Sequence, residues 1–240
     1  MIRFFADQQD ISDSKIRLSE EDAEHIRALR LRANELFVVC NGAGSDHICR
    51  LSDNGDRVAY IVETRPTRGE PDIACSVYIA LAKGDRLSYA VQKSVELGAR
   101  DIVLFQSERC ISIPVDMVKK TARLQRIAME AAKQCGRGRI PEVTAINSFP
   151  AAIGKAASAA LPLFLYECED KLHLKQVLEK RCNCQTISIV SGPEGGFEPY
   201  EAELARSKGM TAVTLGPRIL RCETVPSVVL AAIMFYTGNL

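Results

Sequence analysis

The stretch TISIVSGPEGGFEPYE, residues 186–201, sets a run of apolar and β-branched residues directly against a turn holding three glycines and a proline. Thr186 to Val190 reads as a buried strand, because a short apolar run bounded by turn residues suits a strand covered on both faces. Pro199 then opens a helix, where its missing N–H does no harm. Strand, glycine turn and helix form the repeating unit of an α/β domain.

The chemistry of the turn restricts what it binds. Gly192, Gly195 and Gly196 match neither G-x-G-x-x-G nor G-x-x-x-x-G-K-[ST]. Pro193 removes a backbone donor that a phosphate nest would use. The nearby charges are Glu194, Glu198 and Glu201, with no Lys or Arg between 182 and 205. Carboxylates here repel a pyrophosphate and suit a locally cationic ligand carrying adenine or ribose, such as the sulfonium of S-adenosylmethionine. A plain β-to-α turn fits the same residues.

Outward from this unit the pattern repeats. IACSVYIAL, DIVLFQ, LPLFLYE, TISIVSG and TAVTLG read as strands. RLSYAVQKSVELG, a long helix from about 116 to 135, KLHLKQVLEKR, EPYEAELARSKG and TVPSVVLAAIMFY read as helices. Continuous apolar strands alternating with helices predict a parallel sheet covered on both faces. The glycine-bearing turns follow the last two strands, whereas a dinucleotide fold places its glycine turn after the first. Three loops therefore stand at strand carboxyl ends, around Glu167, around Gly192–Gly196 and in VTLGPRILRCET, where parallel sheets hold ligands.

The first 65 or so residues read differently, as a small β-rich unit with one helix opening at Ser19 and Asp22. ELFVVC, HICRLS and RVAYIVE read as strands, the last two joined by a type I′ hairpin turn at Asn54-Gly55. Such a unit binds RNA or decorates an enzyme. TRPTRGEP, residues 64–71, reads as a linker, giving domains 1–68 and 73–240.

At 240 residues, 47% hydrophobic and 25% charged, the composition is globular. MIRFFADQQD lacks the layout of a secretory signal, and no apolar run approaches the roughly 20 residues of a spanning helix. The nine cysteines are odd in number and form no C-x-x-C, and the three histidines are scattered, so reduced, mostly buried thiols are expected, with no metal site and a cytoplasmic location. Net charge is +1, yet residues 83–139 carry 12 Lys and Arg against 6 Asp and Glu. Lys119, Arg123, Arg126, Lys133 and Arg137 recur at intervals of three, four or seven, which stacks them on one helix face with Arg139 just beyond. That ridge reads as phosphate contact with RNA or as a solvated charged face.

Taken together, KGDRLSYAVQKSVELGARDIVLFQSERC (83–110), EAAKQCGRGRIPEV (130–143), GPEGGF (192–197) and LGPRILRCET (215–224) resemble the RsmE family of 16S rRNA uridine-N3 methyltransferases, of the SPOUT class. The N-terminal HIRALRLRANELFVVCNGAG, which carries Arg30, resembles it more loosely. The resemblance implies a PUA-like β-barrel followed by an α/β domain with a deep C-terminal trefoil knot, a homodimer, and 16S rRNA or the small ribosomal subunit as partner. It implies S-adenosylmethionine as cofactor, leaving as S-adenosylhomocysteine, held by three groups: Leu165, Tyr166 and Glu167; Val190, Gly192, Glu194, Gly195 and Gly196; and Leu215, Gly216, Ile219, Leu220 and Arg221. RNA contact is expected at Arg30, Lys119, Arg123, Arg126, Lys133, Arg137 and Arg139. Cys135, Cys222 and Val225-Pro226 depart from the family pattern.

Uracil N3 is a poor nucleophile until its imide proton leaves, so such a site needs a proton acceptor or a means of stabilising the anion. Arg221 is the candidate for stabilising charge, Glu223 for accepting the proton or capping the last helix, and Arg86 for orienting the target. The rival readings are a catalytically silent RNA-binding assembly factor, which needs the basic ridge but not the loops, and a nucleotide-dependent oxidoreductase, which the carboxylates disfavour.

Overall fold

A computed structural model describes residues 1–32, 34–52, 57–181 and 184–240. The hairpin turn expected at Asn54-Gly55 lies outside the described residues. The chain divides into two units, residues 1–70 with 132–140, and residues 71–131 with 141–240. The excursion of 132–140 into the first unit has no counterpart in the continuous boundary expected from the sequence.

In the first unit, β1 (Arg3–Phe5), β2 (Lys15–Arg17), β3 (Phe37–Cys40), β4 (Ser45–Leu51) and β5 (Val58–Pro66) form one sheet in the order β1-β3-β4-β5-β2. β1 runs parallel to β3, and the other pairs are antiparallel. β1 and β2, three residues each, are too short to show a period and were not expected. The helix α1 (Glu20–Ala28) begins where its cap predicts, the Ser19 hydroxyl accepting from the Asp22 N–H at 3.0 Å. Phe4, Ile16, Ile26 and Phe37 fill the space between helix and sheet. Burial pushes the Cys40 and Cys49 thiols up to about 12, which suits inert core residues.

Strand β5 runs on to Pro66, so the first three residues of the expected linker are sheet. The rest of it is also tied down. Thr67 donates to Asp46 at 2.7 Å, and the Glu70 carboxylate takes the Arg137 guanidinium at 2.7 Å and the N–H groups of Gly138 and Arg139 at 3.0 Å each. Arg137 is 3% exposed, so its charge belongs to this internal pair. Removing one partner of a buried pair strands the other charge, and Glu70 keeps two backbone donors and partial solvent access. Arg137→Ala therefore costs about 2 kcal/mol of stability, below the full buried-pair cost, read as a lower denaturant midpoint. An unchanged midpoint with a salt slope of RNA binding reduced by about one would return Arg137 to phosphate contact.

The second unit holds β6 (Ala74–Ala80), α2 (Arg86–Glu96), β7 (Asp101–Phe105), α3 (Met117–Cys135, its last turn in the first unit), β8 (Glu142–Ile146), α4 (Phe149–Ala156), β9 (Leu161–Leu165), α5 (Leu174–Arg181), β10 (Thr186–Ser191), α6 (Pro199–Ser207), β11 (Thr211–Val213) and α7 (Thr224–Tyr236). Its six strands are all parallel, in the order β11-β9-β10-β6-β7-β8. The α/β reading thus holds, while β8 and α4 went unread because EVTAI is half polar and FPAAIGKA is short. β10 is inserted between β6 and β9, a long-range pairing that no local pattern encodes. Phe105, Phe149, Phe164 and Phe197 pack together, the last two with ring centroids 4.4 Å apart. Phe197 thereby anchors the glycine turn to the core.

Candidate functional site

The carboxyl ends of β9, β10 and β11 open on a cavity of about 550 Å³, a size that suits a nucleoside-bearing small molecule. Its wall takes Leu165, Tyr166 and Glu167 from the end of β9, and Gly192, Pro193, Glu194, Gly195 and Gly196 from the turn after β10. Val213 to Gly216 and Arg218 to Glu223 supply the third side, closed by Val225 and by Arg86 at the start of α2.

Of the residues expected around a cofactor, Val190 alone stays away from the wall. It is 0% exposed, registered in β10 between Tyr78 and Phe164, and is a core residue. Pro193, Val213, Thr214, Arg218, Cys222 and Val225 line the cavity without having been named as cofactor contacts. The rule placing ligands at strand carboxyl ends already pointed to Val213 and Thr214.

Close approach fixes the glycine turn. A Cβ on Gly192 would meet the Phe197 ring at 3.0 Å. Gly196 has φ +69°, a conformation that disfavours any side chain, and a Cβ there would land on the Glu167 carboxylate. Glu167 Oε1 accepts the Phe197 N–H at 2.8 Å, tying the loop after β9 to the loop after β10. On the outer side Arg109 donates from Nη1 to the Gly195 carbonyl at 2.9 Å and from Nε to Glu198 at 2.8 Å. Arg109 lies four residues beyond β7, within the stretch 83–110 that carries the family resemblance, but was not among the expected site residues.

The acidic character expected of this turn needs correcting. Glu198 is held by Arg109. Glu201 is 1% exposed, accepting the N–H groups of Glu108 and Glu198 at 3.0 and 2.9 Å as part of the start of α6. Only Glu194 reaches the cavity, and its Oε1 is met by the Lys83 N–H at 2.9 Å and Arg86 Nη1 at 3.2 Å. Arg86 Nε stands 3.6 Å from Glu223, so one guanidinium bridges the glycine turn and the start of α7. Cavity-lining charges are therefore balanced, Glu167, Glu194 and Glu223 against Arg86, Arg218 and Arg221.

Burial alone would raise the Glu223 carboxyl, but its own backbone N–H, the Cys222 thiol at 3.2 Å and the charges of Arg86 and Arg221 hold it below the usual glutamate range. Glu223 is thus ionised at neutral pH and weakly basic. Its side chain makes no capping bond to α7. Arg221 is exposed at the rim and has no ion-pair partner among the described residues. The two arginines divide accordingly, Arg86 committed to carboxylates and Arg221 available to a negative charge.

Lys119, Arg123 and Arg126 lie exposed along α3, and Arg30 and Arg139 are exposed in the first unit. The ridge loses Lys133 as well as Arg137. Lys133 Nζ sits 3.3 Å from Asp22 and 5.9 Å from the Phe4 ring centre, with its side chain 13% exposed. Helical spacing established which face these cations share, but the excursion of 132–140 decides what that face meets. Among the described residues, no cluster of three or more His, Cys, Asp or Glu could hold a metal, and no helix is long and apolar enough to cross a membrane.

Residues 69–234 match the model of a family described as an RNA methyltransferase domain. The chain is 31% identical to the ribosomal RNA small subunit methyltransferase E of Bacillus subtilis, over 99% of this chain and 97% of that protein. Among solved structures it is similar to the ribosomal RNA small subunit methyltransferase E of Neisseria gonorrhoeae bound to S-adenosyl methionine. That match has 32% identity and a TM-score of 0.87, covering 98% of this chain and 97% of the other. A Legionella pneumophila methyltransferase in complex with the same cofactor matches at 26% identity and a TM-score of 0.85, over 98% and 97% of the two chains.

Proposed function

The chain belongs to the RNA methyltransferase family that includes the ribosomal RNA small subunit methyltransferases E, and from that premise we propose that it methylates N3 of one uridine in 16S ribosomal RNA. It is an S-adenosylmethionine-dependent ribosomal RNA methyltransferase. The observation that carries the finer reading is the meeting of three strand-end loops around one cavity with an exposed arginine at its rim, Arg221, which forms no ion pair among the described residues.

The cavity suits the cofactor. Leu165, Leu215, Ile219, Leu220 and Val225 give an apolar wall for an adenine, the glycine turn admits close approach of backbone, and Glu167 offers a carboxylate toward positive charge. When bound, S-adenosylmethionine supplies an electrophilic methyl group on sulfur. The chain's own task is to hold the target base in line with that methyl and to make N3 nucleophilic. Arg221 does the second by stabilising negative charge on the uracil oxygens. Glu223, held low by its neighbours, is poorly matched to proton abstraction, since an effective base has a pKa near the working pH. Its better role is to orient Arg86, leaving solvent to take the imide proton.

Three further expectations complete the proposal. The five-stranded sheet of residues 1–70 is read as a PUA-like barrel. A trefoil knot is supported by the path of the chain: β11 lies at the sheet edge beside β9, yet α7, after the loop 214–223, packs on α2, β6 and β10. A homodimer paired through α7 is supported by Val228 and Phe235, which leave that helix 40% and 76% exposed. The partner is 16S rRNA or the small subunit, and the expected compartment is the cytoplasm, where buried thiols stay reduced.

Labelled methyl transfer from S-adenosylmethionine to small subunits from a strain lacking this protein tests the function. The expected product is 3-methyluridine at one site. Cofactor binding without transfer would leave a silent assembly factor, and label on another base would overturn the choice of atom.

A further inference from the structure

From beyond β7 into the first turn of α3 the chain presents the sequence ISIPVDMV, residues 111–118, with Ile111 73%, Ile113 54%, Val115 107% and Val118 80% exposed. Four aliphatic side chains in eight residues, with their tips in solvent, exceed the scattered apolar exposure ordinary for a protein surface. The loop is nonetheless fixed at both ends. On its near side the Cys110 N–H bonds the Ser107 carbonyl at 3.2 Å and the Cys110 sulfur receives the Ser107 N–H at 3.3 Å. At its far side the Asp116 carboxylate accepts the Lys119 N–H at 2.8 Å and caps α3. Pro114 stiffens the span between Ile113 and Val115.

Two features say what such a loop meets. The first is charge: Lys119, Arg123 and Arg126, all exposed, follow at once on α3. Aliphatic tips beside a row of cations suit a polyanion with apolar faces, which describes a nucleic-acid strand with its bases unstacked. An acidic protein surface would satisfy the cations and leave the tips wet. The second is attachment. Arg109, at the root of the loop, holds the Gly195 carbonyl and Glu198, and Glu108 N–H is held by Glu201, so the loop is fastened to the turn that walls the cavity.

We infer that residues 111–118 are an RNA-docking loop, whose aliphatic tips pack on bases or riboses of the substrate strand while the cations of α3 take its phosphates. This rests on the reading of the chain as an RNA methyltransferase and adds the element that grips the target beside the cavity. Because the loop is fastened to the cofactor turn, strand docking and cofactor affinity are coupled through Arg109, each raising the other.

The test uses the full-length protein and small subunits isolated from a strain lacking it. Val115→Asp puts a carboxylate where a base would pack, at a position whose side chain has no internal neighbour to lose. The expected result is a drop in kcat/KM for subunits of about tenfold or more, carried by KM, with the melting temperature and the cofactor affinity of the free protein unchanged. Val115→Leu restores most of the activity. Adding subunits tightens S-adenosylhomocysteine binding in the parent protein, and Arg109→Ala removes that tightening.

Three results would overturn the inference. One is unchanged kcat/KM in Val115→Asp. Another is a loss traced by sedimentation to dissociation of an oligomer, which would make the loop a contact between copies. The third is loss of activity with KM unchanged. No transfer by the parent protein would instead sink the methyltransferase reading itself.

Discussion

Gly196→Ala lowers the affinity for S-adenosylmethionine by about a hundredfold, read by titration calorimetry. Gly196 has φ +69°, which costs a residue with a Cβ about 1–2 kcal/mol. The new methyl also displaces the Glu167 carboxylate from the Phe197 N–H, a bond to a charged group worth about 1.5–3 kcal/mol. The turn relaxes by moving away from Glu167, and binding must then restore the original arrangement from its own free energy. Gly42→Ala separates strain from position. Gly42 has φ +70° with nothing near its Cβ and lies in the first unit, so it loses stability while keeping cofactor affinity. An affinity for Gly196→Ala within about threefold of the parent protein would show that the Glu167 link does not organise the site.

Much of this site was legible because it is local. The strand-turn-helix at 186–201 and the two loops beside it announce themselves through apolar runs ended by glycine and proline, and the carboxyl-end rule brings them to one place. The resemblance carried by GPEGGF and LGPRILRCET then supplied the cofactor. What stayed hidden is non-local. The clamp of Arg109 on Gly195 joins residues far apart in sequence, and the insertion of β10 between β6 and β9 leaves no trace in either strand's pattern. The three glutamates of the turn looked alike in sequence, yet one walls the cavity, one pairs with Arg109 and one is buried in the first turn of α6. Helical spacing could not reveal the ion pairs of Lys133 with Asp22 and of Arg137 with Glu70 for the same reason, since both carboxylates lie outside the helix.

At saturating cofactor, Arg221→Ala lowers kcat by about a hundredfold to a thousandfold, the cost of removing one stabiliser of a developing anion. Simple loss of positioning would give a uniform drop, so the informative readout is pH. If the uracil anion is the nucleophile, kcat rises with pH until the bound imide has ionised. A guanidinium beside its oxygens favours the charged form and brings that midpoint down. Taking Arg221 away therefore moves the midpoint up, by about two units for a hundredfold effect. The deficit is then greatest at low pH and shrinks as the pH is raised. Arg221→Lys, which keeps a charge without the planar fork, falls between the two. Glu223→Gln supplies the opposing case. Its carboxyl is already held below the usual range by Cys222, Arg86 and Arg221, so it contributes no ionisation near neutrality. Its replacement leaves kcat within about tenfold and the midpoint in place. A midpoint fixed in Arg221→Ala and abolished in Glu223→Gln would exchange the roles of the two residues and make the glutamate the proton acceptor.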